Sequence, residues 1–127
     1  MKYVIATHGK MASGIKNTIE MLIGKNENIF AIDAYIKDQN FENDFDELVN
    51  SFDNDEQIFI FTDICSGSVN QIVSAHVNSN IKVICGMNLP VVIEIVLRDK
   101  ELSDNEIQEI VNLSKNQIIY LNNHIKM

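Results

Sequence analysis

Short apolar runs alternate along the chain with segments in which apolar residues recur every three or four positions. Runs of the first kind predict buried strands, and the helical spacing predicts amphipathic helices. We predict strands at residues 3–7, 28–36, 57–62 and 81–85, with a short final strand at 118–121. We predict helices at 12–23, 43–52, 69–77 and 89–97, and a last helix that begins at a capping box over 103–106.

This order of elements predicts a single α/β domain over residues 1–127. We expect a three-layer α/β/α fold, with helices on both faces of a mainly parallel four-stranded sheet. The segment 57–62 is almost wholly apolar, so we expect it to be a central strand. In such sheets, ligands bind beyond the carboxyl ends of the strands, where the strand order reverses. We therefore expect the chemistry in the loops that follow Thr7, Thr62 and Cys85.

Composition and charge exclude several classes of protein. The net charge of −8 and the pI of about 4.7 argue against a nucleic-acid surface and against adhesion to an anionic membrane. Arg98 is the one arginine of the sequence, whereas sites that clamp a phosphorylated small molecule commonly use several. The first apolar run is too short for a signal sequence or a membrane span, so we expect a cytoplasmic protein.

The two cysteines, Cys65 and Cys85, are isolated and have no CxxC spacing. For a cytosolic protein this pattern favours two reduced, half-buried thiols. No group of His, Cys, Asp and Glu has the spacing of metal ligands, and no glycine-rich nucleotide-binding motif is present. We therefore expect neither a metal nor another cofactor.

The first loop places His8 directly after a strand, between Thr7 and Gly9, and just before a helix. A neutral imidazole nitrogen at such a position can act as a nucleophile near neutral pH. The N–H groups at the start of the helix can bind an anion, and Gly9 allows close approach of the backbone. The alternative from this segment alone is that His8 only caps the turn.

The second loop offers a carboxylate and a small-residue turn. Asp63 could bond to Nδ1–H of His8, fix the ring tautomer and stabilise the cation formed during a reaction. Backbone N–H groups at Ser66 and Gly67, together with the Ser68 hydroxyl, suit the oxygens of a phosphoryl group. The alternatives are an ordinary helix cap at Asp63 and an ordinary turn at Gly67 and Ser68.

The remaining candidate residues have weaker functional signals. Asn70 is either part of the site or a solvated helix residue, and Asn88 is either a wall of the site or the cap of the next helix. We expect His76 to be packed or partly exposed in its helix and His124 to be solvated.

The three loops together resemble the enzyme IIA domain of the mannose family of the bacterial sugar phosphotransferase system (PTS). The resemblance covers nearly the whole chain and rests on the order and spacing of motifs that are weak singly. The motifs are Thr7-His8-Gly9, Glu20-Met21-Leu22-Ile23-Gly24, Asp63 with Gly67-Ser68-Val69-Asn70, and Gly86-Met87-Asn88-Leu89-Pro90.

This resemblance implies a phosphotransferase that serves sugar transport by carrying a phosphoryl group on His8. The group would come from the phosphohistidine of the carrier HPr and pass to an enzyme IIB domain. Asp63 matches the family's aspartate beside the ring, and Gly67 and Ser68 match its turn at the phosphate. The resemblance also implies a homodimer, in which residues 118–121 complete the sheet of the partner subunit.

Two departures from the family pattern fall in the second loop. The family often has Gly-Gly-Ser-Pro where this chain has Ser66-Gly67-Ser68-Val69, and Cys65 replaces a common aromatic residue. A cradle of main-chain N–H groups survives both changes, so their effects should fall on partner choice and loop rigidity.

Other classes of protein remain as alternatives. A regulatory phosphocarrier of the same fold is open, as is one linked to dihydroxyacetone kinase, although the latter usually carries further domains. A histidine phosphatase or mutase would need an arginine before the histidine, where this chain has Thr7. A receiver domain would need an acidic pair after the first strand, and the first loop has no carboxylate.

Overall fold

A computed structural model describes residues 1–36 and 39–125 of the chain. It divides into two compact units, Met1–Met87 and Asn88–Met127. The strands are β1 (Lys2–His8), β2 (Ile29–Ala34), β3 (Ile58–Thr62) and β4 (Ile81–Ile84). The helices are α1 (Met11–Ile23), α2 (Phe41–Asn50), α3 (Ser68–Ser74), α4 (Leu89–Arg98) and α5 (Asp104–Lys115), and a short 3-10 helix covers Leu121–Asn123.

All four strands of the first unit pair in parallel, in the order β2-β1-β3-β4. The chain therefore moves from β1 to one side for β2 and then to the other side for β3. In the register, His8 lies opposite Ala34 of β2, while Ala6 lies opposite Thr62 of β3. The strand order reverses between β1 and β3, so their carboxyl ends border the crevice where such sheets bind ligands.

The core of the first unit explains why β1 and β3 occupy the centre of the sheet. Every residue of β3 is buried, as the nearly continuous apolar run predicts, and five successive residues of β1 are buried too. Side chains from one face of these strands pack with those of α2 and α3. This cluster includes Val4, Ala6, Ile58, Ile60, Phe41, Phe45, Val49, Val69 and Val73.

The predicted fold class is confirmed: the protein is α/β, with a parallel four-stranded sheet and helices packed on it. The bounds of most elements differ from the prediction by one or two residues, and the end of α3 differs by three. Strand β2 ends at Ala34 because Tyr35 has a φ of 64°, which is incompatible with extended backbone. Helix α3 ends at Ser74, three residues earlier than its apolar spacing indicates. The assignment of residues 1–127 to one domain stays a prediction.

The second unit contains α4 and α5, and local sequence sets the start of both helices. Oδ1 of Asn88 accepts a hydrogen bond from N–H of Val91 (3.0 Å), and Pro90 occupies the first turn. Ser103 and Glu106 form the predicted capping box, in which each side chain accepts from the other residue's N–H.

After α5, the described chain continues to residue 125 without forming a strand. Residues 118–120 have no regular structure and lead into the 3-10 helix. The final strand at 118–121 is thus absent from the single subunit, and its formation in a dimer stays a prediction. Within residues 1–36 and 39–125, no helix combines the length and the apolar character needed to cross a membrane.

Candidate functional site

His8 is the last residue of β1, and the backbone turns sharply after it. Gly9 has a φ of 60°, a left-handed conformation that glycine adopts without steric cost, and its N–H donates to the Ala34 carbonyl at 2.9 Å. The hydroxyl of Thr7 is buried and accepts from N–H of Ala12 at 2.8 Å, which ties the start of α1 to β1. The His8 side chain remains 39% exposed beside this turn.

Asp63 lies beside His8 and contacts both its main chain and its ring. Oδ2 of Asp63 accepts from the His8 N–H and lies 2.9 Å from Nδ1 of the ring. Oδ1 accepts from N–H of Ile64, also at 2.9 Å. Because an ionised carboxylate only accepts, the ring must carry its hydrogen on Nδ1. Nε2 is then the nitrogen with a free lone pair.

Burial and hydrogen bonding act on the Asp63 carboxyl in opposite directions. Partial burial alone would raise its pKa. The hydrogen bonds from the His8 backbone, the His8 ring and the Ile64 backbone outweigh that effect, so the pKa lies below its ordinary value. Asp63 is therefore ionised at neutral pH, as a partner that fixes the His8 tautomer must be.

The turn at Gly67 and Ser68 lies beside Cε1 and Nε2 of the His8 ring. Oγ of Ser68, the first residue of α3, lies 3.5 Å from Nε2 of His8. A Cβ at Gly67 would lie 2.9 Å from Cε1 of His8 and 2.9 Å from Cγ1 of Ile64, closer than real contacts allow. Glycine is required here by this close approach, since its φ of −82° is open to any residue.

Asn70 braces the second loop. Among the described residues, no hydrogen bond joins it to His8. Its Oδ1 accepts from the Thr62 hydroxyl at 2.9 Å, and its Nδ2 donates to the Cys65 carbonyl at 3.0 Å. These bonds connect the end of β3 to the turn that leads into α3. Ser66 lies exposed within that turn.

Cys65 and Cys85 form a disulfide, so the prediction of two reduced thiols is wrong. The bond joins the loop after β3 to the residue that follows β4, across two neighbouring parallel strands. The prediction considered only the spacing of the cysteines, which carries no information about strand pairing. The sheet order brings their α-carbons to 5.1 Å although 20 residues separate them in sequence.

Tyr35 contacts the site and was not among the predicted residues. Its Oη lies 2.8 Å from Oγ of Ser68, and its ring centroid lies 5.4 Å from that of His8. The sequence places Tyr35 inside an apolar run that reads as strand. The sequence carried no signal for this role, because the nearness of Tyr35 to His8 depends on β2 pairing with β1 and ending at Ala34.

Two other residues lie outside this group. Asp33 accepts from N–H and Oγ of Ser13 at 2.9 and 2.6 Å, which holds α1 against β2. Asn88 belongs to the second unit, where it caps α4 and donates from Nδ2 to the Ser114 carbonyl at 2.8 Å. Its role as a wall of the site stays a prediction.

No group of three or more His, Cys, Asp and Glu side chains in residues 1–36 and 39–125 is arranged to hold a metal ion. The His8 ring, the Asp63 carboxylate and the Ser68 hydroxyl lie together. Their arrangement suits a side chain that binds an electrophilic group and then releases it. The site offers Nε2 with a free lone pair, the ionised Asp63 beside Nδ1, and the Ser68 hydroxyl beside Nε2.

Comparison with known proteins gives a consistent family. Residues 2–112 match the family EIIA-man, described as PTS system fructose IIA component. The chain is similar in structure to a Klebsiella pneumoniae protein assigned as a phosphoenolpyruvate-dependent sugar PTS permease, with a TM-score of 0.90, 27% identity, and coverage of 98% of this chain and 93% of the other.

Two streptococcal structures are similar over almost their full lengths. One is the PTS IIA protein associated with the fucose utilization operon of Streptococcus pneumoniae, with a TM-score of 0.81, 25% identity, and coverage of 98% and 96% of the two chains. The other is the PTS component EIIA of Streptococcus agalactiae, with a TM-score of 0.80, 26% identity, and coverage of 96% and 98%.

Proposed function

Because the chain belongs to the EIIA-man family of PTS IIA components, we propose that His8 carries the phosphoryl group of a sugar phosphotransferase system. In the cytoplasm, His8 receives the group from phospho-HPr and passes it to an enzyme IIB domain that serves sugar uptake. The observation that carries this proposal is the state of the ring. Asp63 occupies Nδ1, while Nε2 is left beside Ser68 on a side chain that solvent reaches.

The first chemical step is an attack by the Nε2 lone pair of His8 on phosphorus. The bond from phosphorus to the donor's histidine nitrogen breaks as the bond to Nε2 forms, so one phosphohistidine replaces another. The His8 ring gains positive charge during this step because Nδ1 keeps its hydrogen. The ionised Asp63 carboxylate, 2.9 Å from Nδ1, stabilises that charge and holds the ring in the reactive tautomer.

Gly67, Ser68 and Gly9 would contact the phosphoryl oxygens. Space beside Cε1 of His8 exists because Gly67 has no side chain, and the Ser68 hydroxyl already lies near Nε2. Donors held in advance at such positions stabilise the charge on a phosphoryl group in transfer. Thr7 and Asn70 act indirectly by holding the two loops, and Ser66 would contribute a wall of the site.

Apolar surface around the site and near the C-terminus supports the proposed protein partners. Ile64, next to Asp63, is 52% exposed and offers a docking contact for HPr and enzyme IIB. The segment 118–121 exposes four large apolar side chains, namely Ile118, Ile119, Tyr120 and Leu121. A segment of this kind gains stability when a second subunit covers it, in agreement with the homodimer.

The test is phosphorylation of the purified protein by phosphoenolpyruvate, enzyme I and HPr, followed by intact-mass measurement. We expect one acid-labile phosphoryl group on the wild type and on His76→Ala, and none on His8→Ala. Addition of candidate enzyme IIB domains should then remove the group. A folded wild-type protein that takes up no phosphate would overturn the proposal, as would equal labelling of the His8→Ala variant.

A further inference from the structure

Tyr35 has an unusual backbone conformation at the edge of the site. It follows β2 directly and has a φ of 64°, a backbone angle that residues other than glycine rarely adopt. Strained conformations of this kind persist only where the surroundings hold them, and they cluster at functional sites. The contacts of the Tyr35 side chain show what this conformation achieves.

The side chain of Tyr35 is held between a buried aromatic residue and the reactive histidine. Its ring centroid lies 6.3 Å from that of buried Phe41 and 5.4 Å from that of His8, tilted by 43° to the imidazole. Its hydroxyl oxygen reaches Oγ of Ser68 at 2.8 Å. Tyr35 follows β2 and Ser68 begins α3, so this contact connects both sides of the site.

The hydrogens in this group can form one chain of donation to the neutral His8 ring, across 2.8 Å between Tyr35 Oη and Ser68 Oγ and 3.5 Å between Ser68 Oγ and Nε2. Nε2 of His8 has no hydrogen, because Nδ1 carries it toward Asp63, so Nε2 can only accept from the Ser68 hydroxyl. If Ser68 donates toward Nε2, its oxygen is left to accept from Tyr35. In this arrangement Tyr35 donates to Ser68, and Ser68 donates to Nε2.

We propose that Tyr35 is a positioning residue of the phosphoryl site, which orients the Ser68 hydroxyl toward the group carried on His8. This inference rests on the proposed function and extends it to a residue outside the predicted loops. When phosphorus bonds to Nε2, the Ser68 hydrogen meets a phosphoryl oxygen in place of the lone pair. Donation from Tyr35 polarises the Ser68 hydroxyl and strengthens that second hydrogen bond.

The ring of Tyr35 has a separate consequence for the phosphorylated state. It lies beside the imidazole and takes up space that water would otherwise fill. Loss of the Tyr35 hydroxyl alone should affect the rate of transfer through Ser68. Loss of the whole Tyr35 ring should in addition shorten the lifetime of the phosphohistidine in water.

The test is a double-mutant cycle with Tyr35→Phe and Ser68→Ala, in which the rate of transfer from phospho-HPr to His8 is measured by rapid quench. Tyr35→Phe should slow transfer about fivefold to tenfold, as expected for loss of a hydrogen bond to a group that stabilises charge. In the Ser68→Ala background, Tyr35→Phe should have no further effect, because the hydroxyl it orients is gone. Ser74→Ala is the matched control and should transfer at the wild-type rate, because the Ser74 hydroxyl donates to the Asn70 carbonyl within its own helix.

Each outcome separates this inference from the proposed function. Absence of phosphate on the wild type would remove both. Normal labelling of His8 together with an unchanged rate for Tyr35→Phe would remove the role of Tyr35 alone. A Tyr35→Phe effect that persists in full without the Ser68 hydroxyl would also overturn it. Tyr35→Ala should in addition shorten the phosphohistidine lifetime relative to Tyr35→Phe, and equal lifetimes would contradict the role of the ring.

Discussion

His8 and His76 each face an aspartate at nearly the same distance, yet their surroundings differ in every other respect. Nδ1 of His8 lies 2.9 Å from Asp63 Oδ2, and Nε2 of His76 lies 2.8 Å from Asp46 Oδ1. The second nitrogen of His8 points to a hydroxyl in an open turn. The second nitrogen of His76 lies 3.2 Å from the Ile72 carbonyl of its own helix.

The difference bears on what the proposed function requires of a histidine–aspartate pair. Both nitrogens of His76 face acceptors, and its ring packs edge-on against Phe45 at 5.0 Å between centroids. That ring is fixed but has no free nitrogen with space for a phosphorus atom beside it. Hydrogen bonds to Asp63 fix His8 on one side and leave Nε2 accessible on the other, as the proposed phosphoryl transfer requires.

The largest expected effect comes from replacing each aspartate by its amide. Asp63→Asn should slow phosphoryl transfer to His8 by about 10²- to 10⁴-fold, because the tautomer and the developing charge both lose their partner. Asp46→Asn should leave transfer unchanged and cost at most about 1 kcal/mol of the free energy of unfolding, as is usual for ion pairs at a protein surface. Single-turnover kinetics and urea unfolding check the two variants, and similar rates for both would erase the distinction between the pairs.

The disulfide provides the next test, since it braces the loop that carries Asp63 and the His76 pair has no such bond beside it. Reduction of Cys65–Cys85, or Cys85→Ser, should lower the free energy of unfolding by about 3 kcal/mol, the chain-entropy value for a loop of this length. Transfer should also slow as the loop loosens around His8. Urea unfolding with and without dithiothreitol measures the change, and Cys85→Ser should no longer respond to the reductant.

Thiol labelling of the unfolded protein, purified without reductant, establishes whether the bond is present before that comparison is made. No reactive thiol is expected in that sample and two per chain after reduction, whereas two before reduction would contradict the disulfide. Unchanged unfolding on reduction of the bonded form would contradict the bracing role of the disulfide.

The smallest expected effect concerns the fit of the turn against the His8 ring. Gly67→Ala adds a carbon at 2.9 Å from Cε1 of His8, which should displace the ring and slow transfer about tenfold. Gly14→Ala is the matched control, since a Cβ there meets no atom within 4 Å and alanine favours helix α1. Equal transfer rates in the two variants would show that the turn yields without disturbing His8.

The sequence predicted the parts of the site that depend on strand ends. His8, Asp63 and Ser68 follow or approach the ends of β1 and β3, and parallel strands bring such positions to one edge of a sheet. The order of the strands was not predictable from hydrophobic spacing. That order determines that Tyr35 lies beside β1 and that Cys65 meets Cys85.

Other misses have local physical causes. The strand over 28–36 was overextended because Tyr35 and Ile36 continue the apolar composition, although the backbone leaves the extended region at Tyr35. Asn70 read as a site residue or a solvated one, whereas it joins the Thr62 hydroxyl to the Cys65 carbonyl. Such bracing requires three separate positions to come together, and no spacing rule in one segment records it.

One oxygen atom of Asp63 serves both the amide and the imidazole of His8. Any change in the charge of the ring therefore changes how strongly that oxygen attracts the amide hydrogen. In a nuclear magnetic resonance spectrum, the amide signal of His8 should move when the ring gains or loses its phosphoryl group. The His8 amide thus offers a spectroscopic reporter of the proposed phosphorylation that needs no attached probe.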